Sequence, residues 1–93
     1  MKIEDFKRAT VGMPKTRCLC MQIDQNTIQP LTNLETIGAY ELALSCNYTA
    51  TAPLTIEMLV AYSDQTIFYL VTRQGIRQPV FGYRVVDAGL LLR

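Results

Sequence analysis

The sequence predicts an α+β domain that consists mainly of antiparallel β-sheet. Three observations favour this class. The chain has 93 residues, of which 49% are hydrophobic and 18% charged, as is typical of one compact domain. Several segments alternate apolar and polar residues with a period of two, which indicates half-buried strands. Short loops join the segments of the C-terminal half, which favours an antiparallel meander. We therefore expect residues 1–93 to form a single domain. No internal repeat is visible in the sequence.

The N-terminal segment predicts a short helix. In residues 2–10, KIEDFKRAT, the apolar residues Ile3 and Phe6 lie one helical step apart among charged residues. From Arg17 the period changes to two, so residues 17–23, RCLCMQI, predict a strand. A turn follows, and residues 27–29 predict a second, very short strand.

The next segment allows two interpretations. Residues 40–48 alternate strictly, with apolar or aromatic side chains on one side, so we expect a half-buried strand. A helix over residues 33–46 is the alternative, because TNLE at 32–35 matches a capping box. In that helix Leu34 and Leu44 would share one face.

Three strands complete the predicted meander, at residues 54–62, 66–73 and 76–86. The short N-terminal strands 17–23 and 40–48 extend the same sheet. Both faces of strand 66–73 are largely apolar, which is typical of a central strand.

A two-residue turn at Gln74-Gly75 would set the register of the last hairpin, since glycine accepts the positive φ that such a turn requires. Phe68 then lies opposite Phe81. Pro79 occupies a non-hydrogen-bonded position, with its nitrogen turned away from the neighbouring strand. Proline in such a place is typical of a sheet edge, so we expect an edge at Pro79.

The same hairpin carries the candidate ligand-binding residues Arg73, Arg84 and Arg77. In the predicted register Arg73 and Arg84 share one face and Arg77 lies on the other. Arginine suits bidentate contacts with phosphate or carboxylate groups.

Charge is divided along the chain. Residues 1–17 carry five basic and two acidic side chains, residues 18–72 carry five acidic and no basic ones, and residues 73–93 carry four basic and one acidic. Two arrangements would follow from this: basic ends that converge on an anionic partner, or basic ends that pair with the acidic middle. The net charge of +1 favours the second arrangement, because nucleic-acid binding depends on excess positive charge.

Catalytic and metal-binding functions have little support. The chain contains no histidine, which excludes Ser-His and Cys-His dyads and histidine-ligated metals. Cys18 and Cys20 could form a redox pair or half a metal site, but their spacing and the single further cysteine, Cys46, favour reduced, buried thiols. An enzyme would depend on Asp64, Glu57 or Cys46. We therefore expect no catalytic residue, no metal and no cofactor.

The C-terminal leucines, Leu90, Leu91 and Leu92, either close the core of the domain or dock on a second copy. With Pro79 they are the predicted interface. The sequence thus predicts a small interaction or accessory protein that forms a homodimer through a β-edge and an apolar tail. An anion- or nucleic-acid-binding module and a histidine-free enzyme are the alternatives. With no secretion signal and no apolar run of about 20 residues, a cytoplasmic location away from membranes is expected.

Overall fold

The structure is a computed structural model that describes residues 1–47 and 52–93, which form two short helices and eight strands. The elements are α1 (Ile3–Ala9), β1 (Leu19–Asp24), β2 (Thr27–Pro30), β3 (Asn33–Gly38), β4 (Glu41–Ser45), α2 (Ile56–Val60), β5 (Ile67–Val71), β6 (Arg77–Pro79), β7 (Tyr83–Val86) and β8 (Gly89–Leu92). The strands form two four-stranded sheets, in the orders β2-β1-β8-β7 and β3-β4-β5-β6. The predicted α+β class, mainly antiparallel, is confirmed.

The two sheets are joined into a ring. In each sheet the outer pairs are antiparallel and the central pair, β1–β8 or β4–β5, is parallel. The chain passes from one sheet to the other between β2 and β3, where Leu31 donates its N–H to Leu19 and Thr32 donates its N–H to Ser45. It passes back through residues 80–82, between β6 and β7. The continuous stretch β2–β3 pairs with β1 on one side and with β4 on the other, and β6–β7 pairs with β5 and with β8 in the same way. The strands therefore close into a small barrel.

The barrel is built from two topologically equivalent halves. Each half is a helix followed by three antiparallel stretches of chain, first α1 to β4 and then α2 to β8. Met21 pairs with Gln29 in the first half and Leu70 with Gln78 in the second, so both positions advance by 49 residues. The two parallel pairs are also equivalent: Leu19 pairs with Leu90 as Phe68 pairs with Leu42, with an advance of 49 residues from β1 to β5 and of 48 residues from β4 to β8. The repeat is not visible in the sequence, because the two halves share almost no residues at equivalent positions apart from Gln-Pro at 29–30 and 78–79.

The core fills the barrel and extends to the helices. Ile3 and Phe6 of α1 are fully buried in the same apolar cluster as the interior of the barrel, and Phe6 meets Phe68 edge to face at 5.4 Å. The N–H of Ile3 donates to Thr66 just before β5, and that of Ile56 donates to Arg17 just before β1. The helices therefore cover the end of the barrel where β1 and β5 begin. We call the opposite end, where β1, β4, β5 and β8 finish, the mouth.

Several predicted elements are confirmed: the N-terminal helix as Ile3–Ala9, the first strand as Leu19–Asp24, the short second strand as Thr27–Pro30 and the central strand as Ile67–Val71. Strand 40–48 is confirmed over Glu41–Ser45, while position 48 lies outside the described residues. The alternative helix over 33–46 is wrong, because this segment forms the hairpin β3–β4.

The predicted strand at residues 54–62 is wrong. Residues Ile56–Val60 form a helix, with Thr55 as N-cap accepting a hydrogen bond from the N–H of Met58 at 3.5 Å. Ile56 and Leu59 lie three residues apart and are both fully buried. Helical spacing therefore describes this apolar segment better than alternation does.

The predicted strand at residues 76–86 is also wrong as one element, because β6 and β7 belong to different sheets. The hairpin register differs from the prediction by one residue: Leu70 pairs with Gln78 and Tyr69 with Pro79. A wider turn causes the shift, since the N–H of Thr72 donates to the carbonyl of Ile76 and three residues lie between them. The expected edge at β6 is confirmed.

The predicted pair of Phe68 and Phe81 is consequently wrong. Phe68 is fully buried against α1, whereas the side chain of Phe81 is 84% exposed. No helix in the described part of the chain has the length and apolar character needed to cross a membrane.

Candidate binding site at the barrel mouth

The mouth contains a groove made of three adjoining cavities. Their volumes are about 330, 340 and 360 Å³, and Met21 lines all three. The groove lies between the end of β1 and the β5–β6 turn, which is residues 72–76. Met21 and Ile23 supply apolar surface, and Gln22 and Gln78 supply amides. An apolar floor with a few polar groups in the mouth of a barrel is typical of a binding site.

The charge in the groove is mainly positive. Arg73 lines two of the cavities and Arg93 lines the third, whereas Asp24 is the one acidic residue among the described residues that line them. The N–H of Asn26 donates to the carboxylate of Asp24 at 2.9 Å. This hydrogen bond is the main reason that the pKa of Asp24 is lowered. Thr27 and the nearby Arg73 lower the pKa further. Asp24 is therefore ionised at neutral pH and offsets only part of the positive charge.

The edge surface, which we define as the exposed residues Ile76–Pro79 and Phe81, borders the groove and lines part of it. All three residues of β6 are exposed, as is 58% of Ile76 and 84% of Phe81. The N–H of Thr72 donates to the carbonyl of Ile76, so these two residues form a hydrogen-bonded pair. Hydrogen-bonded and non-hydrogen-bonded pairs alternate along an antiparallel ladder, so Leu70 and Gln78 are the next hydrogen-bonded pair. The backbone N–H and C=O of Arg77 and the C=O of Pro79 then point outward.

The three candidate arginines are not brought together. Arg73 lies in the turn at the mouth, and Arg84 lies in β7 of the other sheet. The guanidinium of Arg77 stacks 5.1 Å from the ring centre of Tyr69 and lies 3.8 Å from Glu41. The expectation that Arg73 and Arg84 share a face of one hairpin is therefore wrong, because their strands belong to different sheets.

The predicted interface residues are divided between surface and interior. Pro79 is exposed on the edge strand. Leu90, Leu91 and Leu92 are at most 1% exposed, because β8 is an inner strand of its sheet. Leu90 and Leu92 belong to the core cluster of the domain, which is the first of the two possibilities that their position allowed, and Leu91 is buried outside that cluster.

The basic ends of the chain do meet its acidic middle. Lys7 forms an ion pair with Asp64, and Arg77 pairs with Glu41. These side chains are about half exposed, so each pair contributes at most about 1 kcal/mol. Two further ion pairs join Arg8 to Glu4 and Asp5 within α1.

Two of the three thiols, those of Cys20 and Cys46, are poorly suited to act as nucleophiles. Cys20 is 1% exposed, and burial, with smaller contributions from Cys18 and Cys46, raises its pKa to about 11. Burial also raises the pKa of Cys46. Protonated thiols are weak nucleophiles and metal ligands. Among residues 1–47 and 52–93, no group of three or more cysteine or carboxylate side chains could hold a metal ion.

Other proposed catalytic groups are dispersed. Asp64 is exposed beside Lys7 and Glu57 is exposed on α2, whereas Cys46 lines the mouth. Sequence reasoning named Arg73 and Pro79 but missed Met21, Phe81 and Arg93. The Gln-Pro dipeptide occurs at 29–30 and again at 78–79, just before the chain passes from one sheet to the other in each half. This repetition is the sequence signal that could have indicated the two crossings.

Comparison with protein-family models, with curated proteins and with solved structures finds no match to the chain. The functional argument therefore depends on the geometry of the mouth and the edge surface.

Proposed function

We propose that this protein is a small interaction module that binds a segment of polypeptide at the barrel mouth, between the groove and the edge surface. The observation that carries the proposal is the exposure of Phe81. A phenylalanine that is 84% exposed beside an apolar cavity of about 360 Å³ is unusual, and aromatic side chains are enriched at protein interfaces. Isolated apolar residues on a surface need no explanation, but this one borders a groove.

The lining of that cavity supports a protein ligand. Met21, Leu70, Pro79, Phe81 and Leu92 contribute apolar surface, while Gln22, Gln78 and Arg93 contribute polar groups at the rim. This composition matches the centre of an interface, in which an apolar anchor is surrounded by polar groups. The outward backbone groups of β6 add a means to hydrogen-bond an extended chain.

A second copy of the chain is the partner that the sequence suggested. With the leucine tail buried, Pro79 on the edge surface is the predicted interface residue that is left exposed. Light scattering after size-exclusion chromatography, over a range of concentrations and at two salt levels, measures this form of the interaction.

Selection from a library of displayed random linear peptides tests the wider proposal. The selection uses the whole chain and repeats it with Phe81→Ser. Val11→Ser is the matched control, because Val11 is also highly exposed, at 77%, but follows α1 and does not line the mouth. Both substitutions remove an exposed apolar side chain and should leave the fold intact.

We expect enriched peptides, or a dimer, that bind wild-type protein and Val11→Ser alike and lose at least tenfold in affinity with Phe81→Ser. Peptides that bind all three proteins equally would refute the assigned site. A monomer that enriches no peptide would refute the proposed function.

A further inference from the structure

Strands β3 and β7 each have one free edge. β3 ends one sheet and β7 ends the other, so each has a paired strand on one side only. In the part of the chain that the structure describes, no backbone hydrogen bond from outside the sheets reaches residues 34–36 or 83–85. Glu35 and Arg84 are exposed, as is 52% of Val85. Free strand edges present N–H and C=O groups on which another strand can pair.

The hydrogen bonds of β7 show which of its backbone groups point outward. Gly82 and Arg93 exchange two backbone hydrogen bonds, of 2.8 and 3.0 Å, and are therefore a hydrogen-bonded pair of the β7–β8 ladder. Hydrogen-bonded and non-hydrogen-bonded pairs alternate along such a ladder, so Tyr83 and Val85 are not bonded to β8. Their N–H and C=O groups point into the free edge, and Arg84 lies between them.

Strand β3 has the same pattern. Thr32 donates its N–H to the carbonyl of Ser45, whose ladder partner is Asn33. The start of β7 has the equivalent arrangement, in which two consecutive N–H groups donate to one carbonyl. Asn33 and Ser45 are thus the first hydrogen-bonded pair of β3–β4. By the same alternation, Leu34 and Thr36 point their N–H and C=O groups into the free edge.

The residues between these outward positions carry opposite charges. Glu35 of β3 and Arg84 of β7 are 49 residues apart, the same advance that relates β2 to β6. Glu35 lies opposite Ala43 in the ladder, and Arg84 lies opposite Leu91. Ala43 and Leu91 are outside the core cluster, so both charged side chains lie on the outer faces of their sheets. Among the described residues, neither charge has an ion-pair partner.

The two edges match each other when β7 of one copy lies antiparallel to β3 of a second copy. Tyr83 then faces Thr36 of the second copy, and Val85 faces its Leu34. Both are pairs of outward-pointing residues, so each exchanges two backbone hydrogen bonds. The exposed side chain of Val85 lies next to the partly buried side chain of Leu34, which adds an apolar contact.

Charge selects this pairing over the pairing of identical edges. In the alignment above, Arg84 lies directly opposite Glu35 of the second copy, and opposite charges on facing residues stabilise a pair of strands. Two β7 edges in the equivalent alignment would bring two arginines together, and two β3 edges would bring two glutamates together, which is destabilising. Asp87, in the turn after β7, forms no ion pair with Arg84 that would cancel its charge.

We propose that this protein assembles head to tail, by antiparallel pairing of β7 of one copy with β3 of the next around an ion pair between Arg84 and Glu35. The contact joins different edges of the two copies, so it is heterologous and produces chains or closed rings. It uses neither the groove nor the edge surface at the mouth, and it is therefore independent of the proposed function.

Charge reversal tests the assembly. Sedimentation velocity over a range of concentrations is recorded for the wild type, for Arg84→Glu, for Glu35→Arg and for an equal mixture of the two variants. Each variant alone places like charges opposite each other, whereas in the mixture every contact between unlike copies again joins opposite charges. Lys15→Glu and Glu57→Arg are the matched controls, because both residues are exposed and lie on neither edge.

We expect the average mass of the wild type to rise with concentration. Each edge variant alone should need about tenfold higher concentration for the same mass, and the mixture should regain the wild-type behaviour. The control variants, alone or mixed, and Phe81→Ser should associate like the wild type. A wild type that stays monomeric, edge variants that associate like the wild type, or a mixture that associates no better than its components would each overturn the proposal.

Amide hydrogen exchange, followed by NMR at low and high protein concentration, tests the register. Association should slow exchange at Leu34, Thr36, Tyr83 and Val85, whose N–H groups point into the free edges. The N–H of Arg84 points toward β8 and should exchange at the same rate in both samples. Slower exchange at Tyr83 and Val85 without any change at Leu34 and Thr36 would mean that identical edges pair, and would overturn the head-to-tail assembly.

Discussion

The stability of the Gly89→Ala variant should distinguish this barrel from other packings of the same strands. Gly89 begins β8 at a φ of +144°, a conformation that L side chains rarely adopt. A Cβ at this position would lie closer than 3.0 Å to the backbone carbonyl oxygen of Cys18. That oxygen accepts the N–H of Leu90 at 2.8 Å, the first bond between β1 and β8.

The magnitude follows from two contributions. The positive φ of Gly89 lies in a sparsely populated region and costs about 1–3 kcal/mol for a residue with a side chain. Displacement of the Cys18 carbonyl also loses most of one backbone hydrogen bond, a net cost of about 0.5–1.5 kcal/mol. We expect Gly89→Ala to lower the free energy of unfolding by about 2–4 kcal/mol, a large part of the roughly 5–15 kcal/mol available to a small domain.

Two other glycines are internal controls for this substitution. Gly75 has a φ of +80°, but a Cβ there meets no atom within 4 Å, so Gly75→Ala should cost about 1–2 kcal/mol from the backbone alone. Gly82 has open space and no positive φ, so Gly82→Ala should change stability by less than about 1 kcal/mol.

Urea denaturation followed by circular dichroism measures all four proteins. If Gly89→Ala costs no more than Gly75→Ala, then the close approach of Gly89 to Cys18 is incorrect. The parallel register of β1 and β8, which closes the barrel, would then be refuted with it.

Three further predictions concern packing, capping and pH. Phe68→Ala should cost about 3–5 kcal/mol of stability, because Phe68 is fully buried against Phe6. Phe81→Ala should cost less than about 0.5 kcal/mol, because Phe81 is exposed. Equal losses in the free energy of unfolding, measured by urea denaturation, would contradict this difference. Thr55→Ala should cost about 0.5–1 kcal/mol through the cap of α2, and Thr55→Ser should restore most of it. Folding raises the pKa of Cys20 from 9.0 to about 11, so its contribution to stability is complete below pH 9 and is lost as the pH rises toward 11. Relative to the wild type, Cys20→Ala should lose less stability over that interval, and parallel curves would argue against the burial of this thiol.

Local pattern determined the short elements of this protein. Alternation at residues 17–23, 40–48 and 66–73 indicated strands because one side of each is buried. The pair Ile3 and Phe6 indicated the N-terminal helix. Pro79 indicated an edge through its missing N–H, and this was correct although the predicted register was shifted by one residue. Each of these signals acts within a few residues of chain.

Contacts between distant residues decided the rest. Residues 54–62 are apolar enough for a strand or a helix, and only burial of Ile56 and Leu59 against the core selects the helix. One extra turn residue shifted the last hairpin and separated Phe68 from Phe81. The candidate site shows the same limit, because Met21 lines one cavity with Arg73 and another with Arg93 only once the strands are paired.

The sequence by itself determined the class, the helix at the start and the strand-forming segments, since periodicity and turn chemistry are local properties. Only the tertiary structure decided that β1 pairs with β8 and β4 with β5, both in parallel, and that two equivalent halves close a barrel. Leu19 and Leu90 are 71 positions apart, and no local pattern specifies which distant strand satisfies the backbone of another. Closure of the ring satisfies those hydrogen bonds, buries the C-terminal leucines and leaves Phe81 exposed beside the mouth.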